Sequence, residues 1–186
     1  STNIPSQAAN AFWLPNSAFA YLIEIPNCSS VFSPKLALQY RVPFGELWDF
    51  LKSGMDVQLF DGTVVTASQV HELKSHKLLI VGDCGSGYSR PDGSWILQRD
   101  GIDTMIHEAT YANALNWQAQ KYGHTTSGQA GKRAKRLRAQ RLIITHFSSR
   151  YDDESENGVQ MLLDEAKAEF GSQNAFAAYD GMFVDL

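Results

Sequence analysis

Three short apolar runs, each stopped by polar residues, restrict this chain more than any other feature. Lys77-Leu78-Leu79-Ile80-Val81 ends at Gly82-Asp83, Asp103-Thr104-Met105-Ile106 ends at His107-Glu108, and Arg141-Leu142-Ile143-Ile144-Thr145 ends at His146. A run this short, with little polar alternation, is the pattern of a strand buried on both faces. Helical patterns over residues 112–122 and 127–138 separate the second run from the third, and another over residues 159–170 follows the third. Strand–helix–strand crossovers lay successive strands parallel, so their carboxyl ends share one edge of the sheet. The spacing therefore predicts an α/β fold in which Asp83, His107, Glu108 and His146 meet at one rim.

The rest of the chain fits around that sheet. Residues 1–17 carry little pattern and read as an irregular lead-in. Residues 18–25 are aromatic and branched, a strand that Pro26-Asn27 should close with a turn. Residues 33–54 read as two short helices, the first opened by Pro34 and the second closed by Lys52-Ser53-Gly54. Asp61-Gly62 predicts a hairpin with a two-residue turn. Residues 67–73 read as a short helical turn, residues 85–93 as a Gly/Ser/Pro loop, and residues 176–184 as a closing strand. In the helix over 127–138, Ala130, Ala134 and Leu137 form the inward stripe, with Lys132, Arg133, Lys135, Arg136 and Arg138 around the remainder.

Composition removes several classes of function. With 44% hydrophobic residues in 186, the chain has material for a core and is no disordered segment. A net charge of −4 argues against nucleic-acid binding by overall charge, though a local basic patch stays open. No apolar run approaches membrane-spanning length, and no signal peptide is visible. Cys28 and Cys84 lack a pairing pattern, which fits a reducing compartment, and the expected location is the cytoplasm. The start at Ser1 reads as that of a processed or truncated piece.

The polar residues at the strand ends suit two kinds of chemistry. Asp83 and His146 are oxygen and nitrogen ligands that zinc accepts, and a carboxylate can bridge two metals in phosphodiester hydrolysis. From spacing alone Asp83 could instead cap a helix or turn and His146 bond a backbone carbonyl, since a lone Asp and a lone His are weak signals. Glu108 and His124, the latter in Gly123-His124-Thr125-Thr126, suit a carboxylate–imidazole pair acting as general acid, worth roughly 10²- to 10⁴-fold in rate. The alternative is a structural cap and its neighbour. The basic residues from Lys132 to Arg141 could meet phosphates or form a solvated helix face. His71 and His76 read as surface residues of a polar connector. Trp13, Trp48, Trp95 and Trp117 read as packing rather than as base-stacking platforms.

In their order along the chain, His107-Glu108-Ala109-Thr110, Gly123-His124-Thr125-Thr126 with Gln129-Ala130, and Ile144-Thr145-His146-Phe147-Ser148-Ser149-Arg150-Tyr151 strongly resemble ribonuclease Z. This is the tRNA 3′-end processing endonuclease family of the metallo-β-lactamase superfamily. Gly82-Asp83 is similar to its metal-binding aspartate motif, and Tyr179-Asp180 to its closing strand. Residues 26–66, with Val42-Pro43-Phe44-Gly45 and Asp61-Gly62, resemble the segment around its tRNA-gripping arm. The resemblance covers residues 18–186 and only the C-terminal half of a typical family member.

The resemblance implies the C-terminal half of an αββα sandwich, a mixed sheet with flanking helices. It implies a zinc-dependent hydrolase that removes the 3′ trailer of precursor tRNA. Asp83 would bridge two zinc ions, His146 would bind one, and His124 would be the proton donor held by Glu108. His107 would support the ligands from behind, while Thr125, Ser148, Arg150 and Tyr151 would lie near the scissile phosphate. The family's main metal motif, His-x-His-x-Asp-His, is not in this sequence, and Leu14 stands where a further ligating histidine is common. Asp83 and His146 alone leave a zinc site incomplete, so this chain by itself is expected to bind zinc weakly and to be inactive. A half of such a fold should expose a sheet face and associate with its N-terminal half or with a second copy as a homodimer. The competing reading is a catalytically incompetent RNA-binding or assembly subunit of the same fold; a third is a different phosphodiesterase or lactonase of the superfamily.

Overall fold

In the computed structural model, which describes residues 8–13, 19–84, 101–152 and 158–185, the chain supplies eight strands and five α-helices among those residues. They are β1 (Ala8–Trp13), β2 (Phe19–Phe32), α1 (Pro34–Gln39), α2 (Glu46–Lys52), β3 (Val57–Gln58), β4 (Val64–Val65), β5 (His71–Val81) and β6 (Thr104–Glu108). Then come α3 (Asn116–Tyr122), α4 (Ser127–Arg136), β7 (Arg141–Thr145), α5 (Val159–Phe170) and β8 (Ala175–Ala177). Six strands form one sheet in the order β1-β2-β5-β6-β7-β8, and β3 pairs β4 in a small second sheet. β1 pairs β2 antiparallel, whereas β5, β6, β7 and β8 run parallel, so the larger sheet is mixed. No helix among the described residues is long and apolar enough to cross a membrane.

The chain divides into two compact units, residues 1–25 with 77–186, and residues 26–76. In the first, alternate residues of the parallel strands turn to opposite faces. Leu79, Met105, Leu142 and Ala175 stand in one cross-strand row and are buried in a core shared with Ala130, Ala134 and Leu137 from the α4 region and Leu162, Ala166 and Phe170 of α5. The next row, Ile80, Ile106, Ile143 and Phe176, takes the other face and lies outside that core. α4 and α5 approach closely because Gly131 has no side chain: a Cβ there would collide with the carbonyl of Ala166. Thr126 caps α4 by accepting the Gln129 N–H, and the Gln129 side chain accepts the Thr126 N–H in return.

The second unit has its own core of Ala37, Val42, Trp48, Leu51, Val57, Val65, Ala67 and Val70. Ser33 caps α1 and Pro34 opens it, as the sequence predicts. The Trp48 indole N–H donates to the Val42 carbonyl at 3.1 Å.

Several expectations change. The stretch read as an irregular lead-in contains β1, and residues 1–7 and 14–18 lie outside the described residues, as do the loop over 85–93 and Trp95. β2 does not stop at Pro26-Asn27 but runs on to Phe32. Its pairing with β1 ends at Glu24, so Pro26 breaks no bond to that neighbour, and Asn27 absorbs the irregularity at φ 57°. The hairpin turn is longer than two residues, since Leu59 and Thr63 pair across it. β5 begins at His71 rather than Lys77, so the segment read as an arm, 26–66, falls within a unit that extends to His76. His71 is half-buried, with Nε2 3.0 Å from the Leu51 carbonyl oxygen. The closing strand is only β8, because Tyr179 to Met182 form a hydrogen-bonded turn with Gly181 at φ 81°.

Candidate metal and acid–base site

The parallel register explains how the site forms. Val81, His107 and Ile144 stand side by side, so the residues just past them emerge at one edge of the sheet. Asp83 follows β5, Glu108 ends β6 and His146 follows β7. His146 has φ 59°, a left-handed conformation that costs a side-chain-bearing residue roughly 1–2 kcal/mol and turns the chain sharply away from the strand. His124 arrives from the helical side. α3 ends in Gly123 at φ 75°, and the His124 N–H donates to the Ala119 carbonyl at 2.8 Å. Ligand-type atoms of Asp83, Glu108, His124 and His146 all lie within 4.8 Å of one another.

Glu108 is the buried centre of this group. Its Oε1 accepts the backbone N–H of Cys84 at 2.8 Å, which fixes the turn carrying Asp83. Its Oε2 accepts the Thr110 hydroxyl at 2.7 Å and lies 3.4 Å from His124 Nδ1. Thr110 Oγ1 is also 2.9 Å from His146 Nδ1 and 3.4 Å from His124 Nδ1. A hydroxyl has one proton. Giving it to Glu108 makes Thr110 an acceptor toward His146, which places a proton on His146 Nδ1. Asp83 Oδ1 lies 3.4 Å from that same Nδ1. Glu108 and Thr110 are thus buried, whereas the Asp83 and His146 side chains are about half exposed, at 52% and 50%.

Behind this group lies a second layer. His107 is fully buried; Nδ1 donates to the Glu108 carbonyl at 2.6 Å, and Nε2 accepts from the Arg133 guanidinium at 2.9 Å. Burial, reinforced by the Arg133 charge, pushes its pKa down to about 3, so the ring is neutral. Arg133 also donates to Cys84 Sγ at 3.0 Å. Burial pushes the Cys84 thiol up to about 12. The residues around the rim are unlike in exposure. Arg150 is exposed, its Nε donating to Ser148 Oγ at 3.1 Å and its guanidinium 5.1 Å from the Tyr111 ring. Thr125 and Tyr151, expected beside a substrate, are buried. The Thr125 hydroxyl donates to the Glu108 carbonyl, and the Tyr151 hydroxyl accepts the Ala112 N–H at 2.9 Å.

The structure therefore brings together Asp83, Glu108, His124 and His146, puts His107 behind Glu108, and turns Thr125 and Tyr151 inward. Two contributors escaped the sequence reading. Nothing in spacing marks Thr110, a hydroxyl two residues past a strand end. Arg133 sits among basic residues that read as outward. It follows Ala130 by three and precedes Leu137 by four, so helical spacing does put it on the inner face.

The donor set fits a divalent metal such as zinc. Asp83 offers an exposed carboxylate on a turn that Glu108 holds through the Cys84 N–H, and His146 offers a ring nitrogen, with Thr110 beside its Nδ1. They supply part of a coordination sphere.

No family model matches the chain. Among known proteins it is 32% identical over 158 residues to a protein named Ribonuclease Z from Gemmatimonas aurantiaca, covering 83% of this chain and 46% of that one. It is 34% identical over 155 residues to Ribonuclease Z of Brevibacillus brevis, covering 82% and 48%. Of solved structures, the metallo-β-lactamase fold protein YhfI from Bacillus subtilis superposes with a TM-score of 0.52 at 18% identity, over 98% of this chain and 50% of that one. The fold is thus of the metallo-β-lactamase type, and the chain spans about half the length of the curated relatives it matches.

Proposed function

Over most of its length this chain is a homologue of the C-terminal part of ribonuclease Z, and on that premise we propose that it forms part of a zinc-dependent nuclease that removes the 3′ trailer of precursor tRNA. The observation that carries the reading is the convergence of Asp83, Glu108, His124 and His146 within 4.8 Å at the carboxyl edge of a parallel sheet. Asp83 and His146 would hold zinc, with the remaining ligands coming from residues outside this chain. Zinc, when bound, supplies Lewis acidity toward the phosphodiester and water.

The chain's own residues do the rest. Glu108 Oε2, 3.4 Å from His124 Nδ1, orients the ring. His124 then offers a proton from Nε2 to the departing ribose oxygen, leaving a 3′-hydroxyl on the tRNA. Arg150, held by Ser148, offers its cation to a phosphate. Thr125 and Tyr151 act indirectly, one by fixing the Glu108 carbonyl and the other by fixing the Ala112 backbone. His107 and Arg133 hold the strand ends from behind. Residues 26–76 would grip the tRNA body.

Partly exposed Ile80 and Ile106 and exposed Phe176, on the sheet face away from α4 and α5, support a partner there, either the N-terminal half of the same protein or a second copy.

The test is cleavage of a 5′-labelled precursor tRNA by the full protein with zinc. His124→Ala and Glu108→Gln should each lower the rate by about 10²-fold or more while RNA binding is retained. Wild-type rates in both variants would remove the acid–base assignment.

A further inference from the structure

The sequence between Ala109 and Tyr151 contains no Asp or Glu and eight Lys or Arg, in a chain of net charge −4. All 20 acidic residues therefore lie elsewhere. This acid-free stretch carries His124, His146 and the whole of α3. Contrary to the sequence reading of Trp117 as packing, its side chain stands 61% exposed, and Tyr122 is 57% exposed. The Lys121 ammonium sits between them, 5.1 Å from the Trp117 ring and 5.3 Å from the Tyr122 ring. These rings cover no core; the inward side of α3 is Ala119. Ala119 also accepts the His124 N–H, so the exposed rings and His124 are anchored to the same short helix.

We propose that the exposed face of α3 is a stacking platform for single-stranded RNA adjoining the scissile phosphate. A base lies on Trp117 or Tyr122, and Lys121 meets the backbone between them. Aromatic rings interleaved with a cation bind single strands without reading sequence, which suits a trailer of varied composition. The stretch itself brings no carboxylate to face the phosphates, and Lys121 places a cation beside both rings. The assignment rests on the nuclease reading above.

The experiment is fluorescence anisotropy with the full protein and two fluorescein-labelled RNAs, a precursor tRNA bearing its 3′ trailer and the same tRNA ending at the cleavage point. Trp117→Ala and Tyr122→Ala should each weaken binding of the trailer-bearing RNA about tenfold, and Trp117→Phe should restore most of it. Lys121→Ala should lower the salt slope by about one. Affinity for the trimmed tRNA should not change. Equal affinity of the wild type and the Trp117→Ala/Tyr122→Ala double variant for the trailer-bearing RNA would overturn the platform and leave the nuclease reading standing. Failure of the wild type to bind either RNA would overturn both.

Discussion

At the scale of single residues, the site is organised by one buried carboxylate. Glu108 satisfies the Cys84 N–H and the Thr110 hydroxyl; without it the buried Cys84 N–H would lose its acceptor and Thr110 would have only the imidazoles to turn to. Glu108→Ala should therefore cost about 2–3 kcal/mol in urea unfolding, and Glu108→Gln less, because an amide oxygen can still accept one of the two. His107 adds a pH dependence of definite sign. Its folded pKa, about 3, lies below the ordinary histidine value near 6.5. The unfolded chain therefore takes up a proton that the folded chain refuses. Stability falls as pH drops from about 6.5 toward 3, by up to about 1.4 kcal/mol per pH unit from this group. Unfolding midpoints near pH 7 and near pH 5 check this, and His107→Asn should flatten the difference.

At the scale of elements, the buried runs were legible because a strand covered on both faces leaves an unbroken apolar signature. β7 and α5 run over the very residues read from the sequence. The convergence of Asp83, Glu108 and His146 followed from parallel register. What escaped reading depended on tertiary contacts. β1 has no pattern of its own and exists as the antiparallel partner of β2. His71 reads as part of a polar connector, yet it lies in β5 beside Leu51 of α2. Trp117 gives the same letter whether it is covered or bare. The α4–α5 contact makes a prediction that reverses the usual preference. Gly→Ala inside a helix normally stabilises by about 1 kcal/mol. Gly131→Ala should instead destabilise by about 1–3 kcal/mol, because its Cβ meets the Ala166 carbonyl. Equilibrium unfolding of that variant gives the sign.

At the scale of the whole molecule, the chain carries one compact half of a metallo-β-lactamase fold and a separate unit over residues 26–76. On the proposed reading, a partner covers the sheet face that carries Ile80, Ile106 and the exposed Phe176. Expressed alone, this chain should bind a hydrophobic dye and self-associate in sedimentation, and joining it to an N-terminal half should abolish both. The central claim is that residues from three strand ends and one helix end act as a single metal-dependent site. Its most direct test is zinc affinity of the full protein by competition with a chromophoric chelator, for the wild type, Asp83→Asn and His146→Asn. The account predicts that each substitution weakens zinc by more than about 100-fold; unchanged affinity and occupancy in both variants would contradict it.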